Sequence, residues 1–319
     1  MEILEYDEVD PLDVLQLNLM ALDFALTPER VKLIRQYDTR AFPCFAIYAS
    51  INNVITGQVG LFRLPMVSIN GPEDVGGVWA VSTHPEYKRK GIATRLLNEA
   101  HERMRTEGLR FSTLGTSSFR LAYSLYLKCG YQDVFSSTSI LLPQKLIPSS
   151  FIFTTEQASQ DNLHLADSFF SKVSKGALGF SHRFDGFLST MCRIGEIAMG
   201  PISEHSVWFI NNEGRLVGYA IVSVAGSILK IHDILLASEV SVVDALPALI
   251  QNLPCSYVHI KSTHSSVTRS LIRLGGRVVP QDWSTFMIKS LTKDVMKLDL
   301  KSHFGIGTDK FLFSWLDST

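Results

Sequence analysis

The stretch that most constrains this chain is an apolar segment, Val75-Gly76-Gly77-Val78-Trp79-Ala80-Val81. It runs through Ser82-Thr83-His84-Pro85 into the basic loop Tyr87-Lys88-Arg89-Lys90-Gly91, and from there into an amphipathic helix. The apolar run predicts a buried strand. Beyond the loop, Ala93, Leu96, Leu97, Ala100 and Met104 fall at helical spacing, with Arg95, Glu99, Glu102 and Arg103 turned outward. A helix start leaves backbone N–H groups without partners, and its dipole end is positive. Gly91 lets the backbone come close to a ligand with no side chain in the way. Strand, basic loop and helix start together make an anion site suited to a pyrophosphate. The candidate contacts are Val81, Ser82 and Thr83 at the strand end, and Lys88, Arg89, Lys90, Gly91, Ile92, Ala93 and Thr94 in the loop and first turn.

The loop Lys88-Arg89-Lys90-Gly91-Ile92-Ala93 resembles motif A of the GNAT (Gcn5-related) N-acetyltransferases, whose pattern is Arg/Gln-x-x-Gly-x-Gly/Ala. Lys88 departs from the usual Arg or Gln; it keeps the charge but loses the planar fork. Twenty-nine positions after Ala93, Ala122-Tyr123-Ser124-Leu125-Tyr126-Leu127-Lys128-Cys129-Gly130-Tyr131 resembles the family's motif B, Asn-x-x-Ala-x-x-Leu-Tyr-x-x-x-Gly-Phe. Ala122, Leu125, Tyr126 and Gly130 match, and Tyr131 stands in for Phe. Phe119 occupies the Asn position and removes a cofactor-holding amide, for which Ser117 or Ser118 could substitute. The resemblance implies acetyl-CoA as the acyl donor, with Tyr126 as the general acid beside the sulfur. A phenol of pKa about 10 is protonated at neutral pH and can pass a proton to a forming thiolate.

The resemblance covers roughly residues 1–143. The pattern there reads as strand, two helices, three strands, helix, strand, helix, strand. A single last strand is expected over Asp133 to Leu142, and Asp10 and Thr27-Pro28 are the expected starts of the first two helices. Residues 144–150 read as a linker with a proline and a polar end. Beyond it the same order of elements recurs over 151–291. Aligning Gly276 on Gly130 sets Leu271 on Leu125 and Ile272 on Tyr126, and Ala237-Ser238-Glu239-Val240-Ser241 stands where the basic glycine loop would be. A carboxylate there repels a phosphate, so the second copy reads as degenerate. The expected fold class is mixed α/β: two tandem GNAT-like domains, each a mostly antiparallel mixed sheet flanked by helices, followed by a tail over 292–319.

A length of 319 residues suits two domains, and 46% hydrophobic residues suffice for their cores. With 30 basic against 31 acidic residues there is no nucleic-acid footprint. The acidic start lacks a signal-peptide core, no apolar run is long enough to span a bilayer, and Cys44, Cys129, Cys192 and Cys255 stand far apart. The expectation is therefore a cytoplasmic protein with reduced thiols, acting without membrane or nucleic acid on a small-molecule or protein amine. No histidine pair has metal-ligand spacing, so no metal is expected.

The general base is not legible: Glu73, Asp74, His84 and Glu86 border the motif strand and read as loop residues. Relatives of the enhanced-intracellular-survival type place the terminal carboxylate in the active site. The apolar tail Phe311–Thr319 could dock in that way, but no counterpart of the sterol-carrier-like domain of those proteins is expected here, so a role for Thr319 is the less favoured reading. His232-Asp233 reads either as a buried polar pair or as a surface pair. Two functions stay open, an acetyl-CoA-dependent N-acetyltransferase working by direct attack and a non-catalytic acyl-CoA-binding or sensing protein. Tyr126 favours the first.

Overall fold

The computed structural model describes residues 1–149, 152–197, 200–280 and 284–319. Ser150 and Phe151, where the expected linker meets the expected second domain, lie outside the described residues. The elements in chain order begin with β1 (Glu2–Glu5), α1 (Pro11–Leu22), α2 (Pro28–Tyr37), β2 (Ala41–Ile51), β3 (Val54–Ser68), β4 (Gly71–Thr83), α3 (Ile92–Thr106), β5 (Phe111–Thr116), α4 (Leu121–Lys128) and β6 (Gln132–Ser136). There follow β7 (Thr138–Pro143), β8 (Thr154–Gln157), α5 (His164–Val173), α6 (Phe187–Ile194), β9 (Val207–Asn212), β10 (Arg215–Ala225) and β11 (Ile228–Leu236). The last main elements are α7 (Val242–Asn252), β12 (Tyr257–Ser262), α8 (Ser265–Arg273), β13 (Arg277–Val279), β14 (Thr285–Ser290) and α9 (Leu300–Phe304).

The chain forms two compact units. The first comprises Met1–Phe135, Thr285–Phe311 and Ser318–Thr319; the second comprises Ser136–Ser284 and Leu312–Asp317. The expected linker, 144–150, thus falls inside the second unit. In the first, the main path of the sheet runs β1-β2-β3-β4-β5-β14-β6. Its first four strands are antiparallel, β5 joins β4 in parallel, and β14 returns antiparallel to β5. In the second, the order is β13-β7-β12-β11-β10-β9-β8 with the same directions: β8 to β11 antiparallel, β12 parallel to β11, β7 antiparallel to β12. The expected mixed α/β architecture is therefore present twice.

Two differences from the expected elements matter. The strand expected over Asp133 to Leu142 is broken at Ser137, so β6 stays in the first sheet while β7 enters the second, and β14 fills the matching place in the first. Each sheet takes one strand from the other copy's stretch of sequence. Hydrophobic alternation cannot reveal this, because β7 and β14 would be equally apolar in either sheet. The second copy also contains α6, which was not foreseen; with α5 it completes the helix pair that α1 and α2 form in the first.

The local signals act as anticipated. The Asp10 carboxylate accepts from the Leu12 N–H at 2.9 Å and the Thr27 hydroxyl from the Arg30 N–H at 3.3 Å, each closing a helix start that Pro begins. Helix α3 buries Ile92, Leu96, Leu97, Ala100 and Met104 against Val59, Leu61 and Val78 of the first sheet. A side chain at Gly76 would meet the Met104 sulfur at 2.3 Å, so the glycine lets α3 lie close to β4. Helices α7 and α8 cover the second sheet through Ala245, Leu246, Leu249 and Leu271.

Candidate functional site

The strand pair β4–β5 is short. Its parallel rungs are Gly76 with Ser112 and Gly77 with Thr113. Past them the strands diverge, and the β5-facing edge of β4 runs without a strand partner among the described residues to Thr83. Within this fork β4 carries a bulge, since Gly60 of β3 pairs with Trp79 and Gln58 with Ser82, leaving Ala80 and Val81 opposite Val59 alone. Ala80 adopts φ +47, a left-handed conformation costly for a residue with a side chain. Its carbonyl accepts from Gln58 Nε2 at 3.5 Å, and Gln58 Oε1 accepts from Asn18 Nδ2 at 2.8 Å. Both side chains are fully buried, so a polar chain from α1 through β3 supports the bulge.

Beyond Thr83 a short turn, Pro85–Tyr87, leads into the basic loop. Arg89 (φ +62) and Gly91 (φ +76) are both left-handed and bend the backbone over the start of α3. Gly91 is the N-cap and supplies no side-chain cap. The first bond of the helix runs from the Arg95 N–H to the Gly91 carbonyl at 3.1 Å, and the N–H groups of Ile92, Ala93 and Thr94 have no partner among the described residues. A side chain at Gly91 would meet nothing within 4 Å, so the approach is open. Lys88, Arg89 and Lys90 are exposed around it, with Lys90 Nζ 4.5 Å from the centre of the Tyr87 ring. Unpaired donors, a positive helix end and three cations fit a pyrophosphate-bearing group.

Tyr126 of α4 is buried in the same core cluster as Val78 and Leu114, the residues just past the last parallel rung. Burial pushes its phenol well above the ordinary value of 10, with Cys129 adding to the shift. Its ring meets that of Tyr131 edge-on at 6.0 Å. The Tyr131 hydroxyl is in turn pinned between Ser112 Oγ at 2.6 Å and His101 Nε2 at 2.9 Å. Tyr in the place of the family's Phe therefore has a use: its hydroxyl closes a buried network behind Tyr126. Phe119 and Leu121, at the entrance to α4, are exposed, and Ser117 is buried.

The border carboxylates do not gather at the fork. Glu73 is held by Arg110, and Asp74 lies 3.5 Å from Arg63. Glu73 precedes Gly77 by four residues, roughly 13 Å of strand before the fork opens. His84 accepts from the Glu86 N–H at 3.3 Å. His232 and Asp233 do not form a pair: His232 bonds Ser223, whereas Asp233 accepts from Ser314 at 2.9 Å.

Three features of the fork lay beyond the sequence reading. Ala80 carries no signal, because alanine does not announce a left-handed residue. Asn18 gave a weak one, as a polar residue on the buried face with Val14 and Leu17. Thr319, set aside earlier, lies in the fork itself: its carbonyl accepts from the Gly115 N–H, and a side chain at Gly77 would meet its Cγ2 at 2.9 Å.

Residues 14–134 match the family model described as an acetyltransferase (GNAT) domain. Among curated proteins none matches this sequence. Several solved structures share the fold. A conserved protein of unknown function from Enterococcus faecalis, described as a probable N-acyltransferase, is 14% identical with a TM-score of 0.68, over 91% of this chain and 72% of that one. Eis1 from Mycobacterium abscessus is 13% identical with a TM-score of 0.60, over 91% and 74%. A tandem GNAT protein from the clavulanic acid biosynthesis pathway is 14% identical with a TM-score of 0.53, over 91% and 98%. The forked strands, the uncapped basic helix start and the match over residues 14–134 lead to one conclusion: the first unit of this chain carries an acetyltransferase domain of the GNAT type.

Proposed function

We propose that the chain transfers an acetyl group from acetyl-CoA to a primary amine by direct attack at the β4–β5 fork. The observation that carries this reading is the uncapped start of α3 at Gly91 beside the bulged, unpaired end of β4. Acetyl-CoA supplies an activated acyl thioester. The N–H groups of Ile92, Ala93 and Thr94, with the backbone and charges of Lys88, Arg89 and Lys90, hold its pyrophosphate. Backbone donors from Val81, Ser82 and Thr83 orient the acyl arm and face the carbonyl oxygen, where negative charge develops during attack. Tyr126 keeps its proton at neutral pH because it is buried, and it donates that proton to the departing sulfur; the proton that the amine nitrogen loses as the amide forms passes to solvent, from which Tyr126 is reprotonated. The acceptor is a small-molecule or protein amine.

Calorimetry with acetyl-CoA tests the donor site. Gly91→Glu adds a carboxylate and a side chain where the pyrophosphate sits, and binding should be lost while circular dichroism stays unchanged. Parental affinity in the folded variant would mean that the donor site is elsewhere. Release of free thiol on adding candidate amines then reports turnover.

A further inference from the structure

One face of the second sheet carries a basic cluster that acetyl transfer does not use. Lys230 on β11 is the register partner of His259 on β12, and Lys261 follows two residues on. Cross-strand partners and alternate residues of a strand share a face. The intervening Ile231, Val258 and Ile260 belong to the core under α7 and α8, so the basic residues lie on the opposite face. His232 joins them through Ser223, the partner of Lys230, whose Oγ is 2.7 Å from His232 Nε2. Arg277 on β13 continues the row across Leu141.

Nothing acidic among the described residues answers this charge. The charged groups acting on His232 are Lys230, Lys261 and His259, and those acting on His259 are Lys230 and Lys261. Asp233, the nearest carboxylate in sequence, is engaged by Ser314 and by the field of Arg183. Lys261 Nζ lies 4.3 Å from the centre of the Trp315 ring, a contact that supplies no counter-charge. Burial first and the neighbouring cations second bring His232 down to about 4, and burial brings Lys261 down to about 7. Like charges gathered on adjacent strands are destabilising by themselves, and an anion converts that repulsion into attraction.

The spacing suits one tetrahedral ion. Adjacent strands lie about 4.8 Å apart and alternate residues about 6.7 Å apart. Two lysines and two histidines therefore stand side by side on one face, within the span of three terminal oxygens and their hydrogen bonds. A carboxylate brings two oxygens and a single charge. We propose that Lys230, His232, His259 and Lys261 form a binding site for a phosphomonoester dianion carried by a small molecule.

The helix start at Gly91 could also attract phosphate, so the intact chain carrying Gly91→Glu is used; the result is then independent of the acyl-donor site. The imidazole resonances of His232 and His259, identified with His232→Gln and His259→Gln, are titrated in the presence of methyl phosphate, inorganic phosphate or acetate. Methyl phosphate should raise both imidazole pKa values by about one unit or more, with proton uptake seen by calorimetry at mildly acidic pH, whereas acetate should leave them unmoved. Lys230→Gln and Lys261→Gln should each weaken methyl phosphate about tenfold or more. Inorganic phosphate acting alone would identify a free-ion site and overturn the ester assignment. Unshifted imidazoles in millimolar methyl phosphate, an equal response to acetate, or full affinity in the double lysine variant would each overturn the proposal.

Discussion

Helices α3 and α7 follow equivalent strands in the two units, yet they begin in opposite ways. Helix α3 starts at left-handed Gly91, with no capping side chain and no acidic residue in its first turn. Helix α7 starts at Ser241, whose hydroxyl accepts from the Asp244 N–H at 3.2 Å, and Asp244 places a carboxylate in the first turn. The second helix start has a side-chain cap and an acidic residue for its dipole; the first has neither. The strands beside them differ in the same sense. β4 and β5 share two parallel rungs before parting, while β11 and β12 share four. At the next helix, buried Tyr126 is matched by Ile272, which is 45% exposed, although Leu271 beside it is fully buried. One fold has thus been kept twice, once with an uncapped helix start beside a forked sheet and once with both closed.

The sharpest way to break this contrast is at Tyr126. Tyr126→Phe should leave acetyl-CoA affinity near parental and slow turnover by about 10²–10⁴, the range for a positioned acid. A near-parental rate, measured where chemistry limits, removes the phenol from the mechanism. Next comes stoichiometry. The intact chain should bind one acetyl-CoA, and Gly91→Glu should leave none; a saturable site that survives the substitution would show that the second unit is not closed.

The interiors of the units contrast too. The second is held by a buried ion pair, Arg183 to Asp317 at 2.7 and 2.9 Å, with Arg183 also donating to the Tyr219 hydroxyl and lying 3.9 Å from the Phe170 ring centre. Asp317→Ala strands a buried guanidinium and should cost about 3–5 kcal/mol in chemical denaturation. A loss below about 1 kcal/mol would mean that the pair is solvated.

The first unit relies on the neutral network His101–Tyr131–Ser112. Burial, followed by Lys289 and Arg105, lowers His101 from 6.5 to about 3, so between those values the unfolded chain binds the extra proton. The stability contributed by neutral His101 is therefore complete above pH 6.5 and lost as pH falls toward 3. At pH 4.5 the loss should be about 2–3 kcal/mol. His101→Gln should remove this dependence; an unchanged pH profile in the variant would place the titration elsewhere.

Much of the proposed donor site can be read from the sequence because its chemistry is local. A basic loop, a glycine and a helical repeat stand within about twenty residues of Val75 to Arg95, and capping rules act over one turn. The second copy was legible for the same reason, through the spacing of Leu271 and Gly276 and the acidic residue at Glu239. Helix α6 escaped because Gly186 and Gly195, the left-handed residues that bound it, leave only eight residues between them, too few for a persuasive period.

What the sequence determined by itself is most of the first unit's element order, the two repeats, and which of the two helix starts is left uncapped, since each depends on side chains a few positions apart. What only the tertiary structure decided is where strands and side chains meet across long separations. β7 and β14 trade sheets, because strand pairing reads backbone donors and acceptors, which are the same whatever the side-chain pattern. The fork depends on β5 leaving β4 after two rungs, on Asn18 and Gln58 bracing a left-handed Ala80, and on Thr319 bonding Gly115. The four basic residues on the second sheet lie close only because β11 and β12 pair in one register; shifted by one residue, Lys230 would lose His259 as its partner and the anion face would disperse.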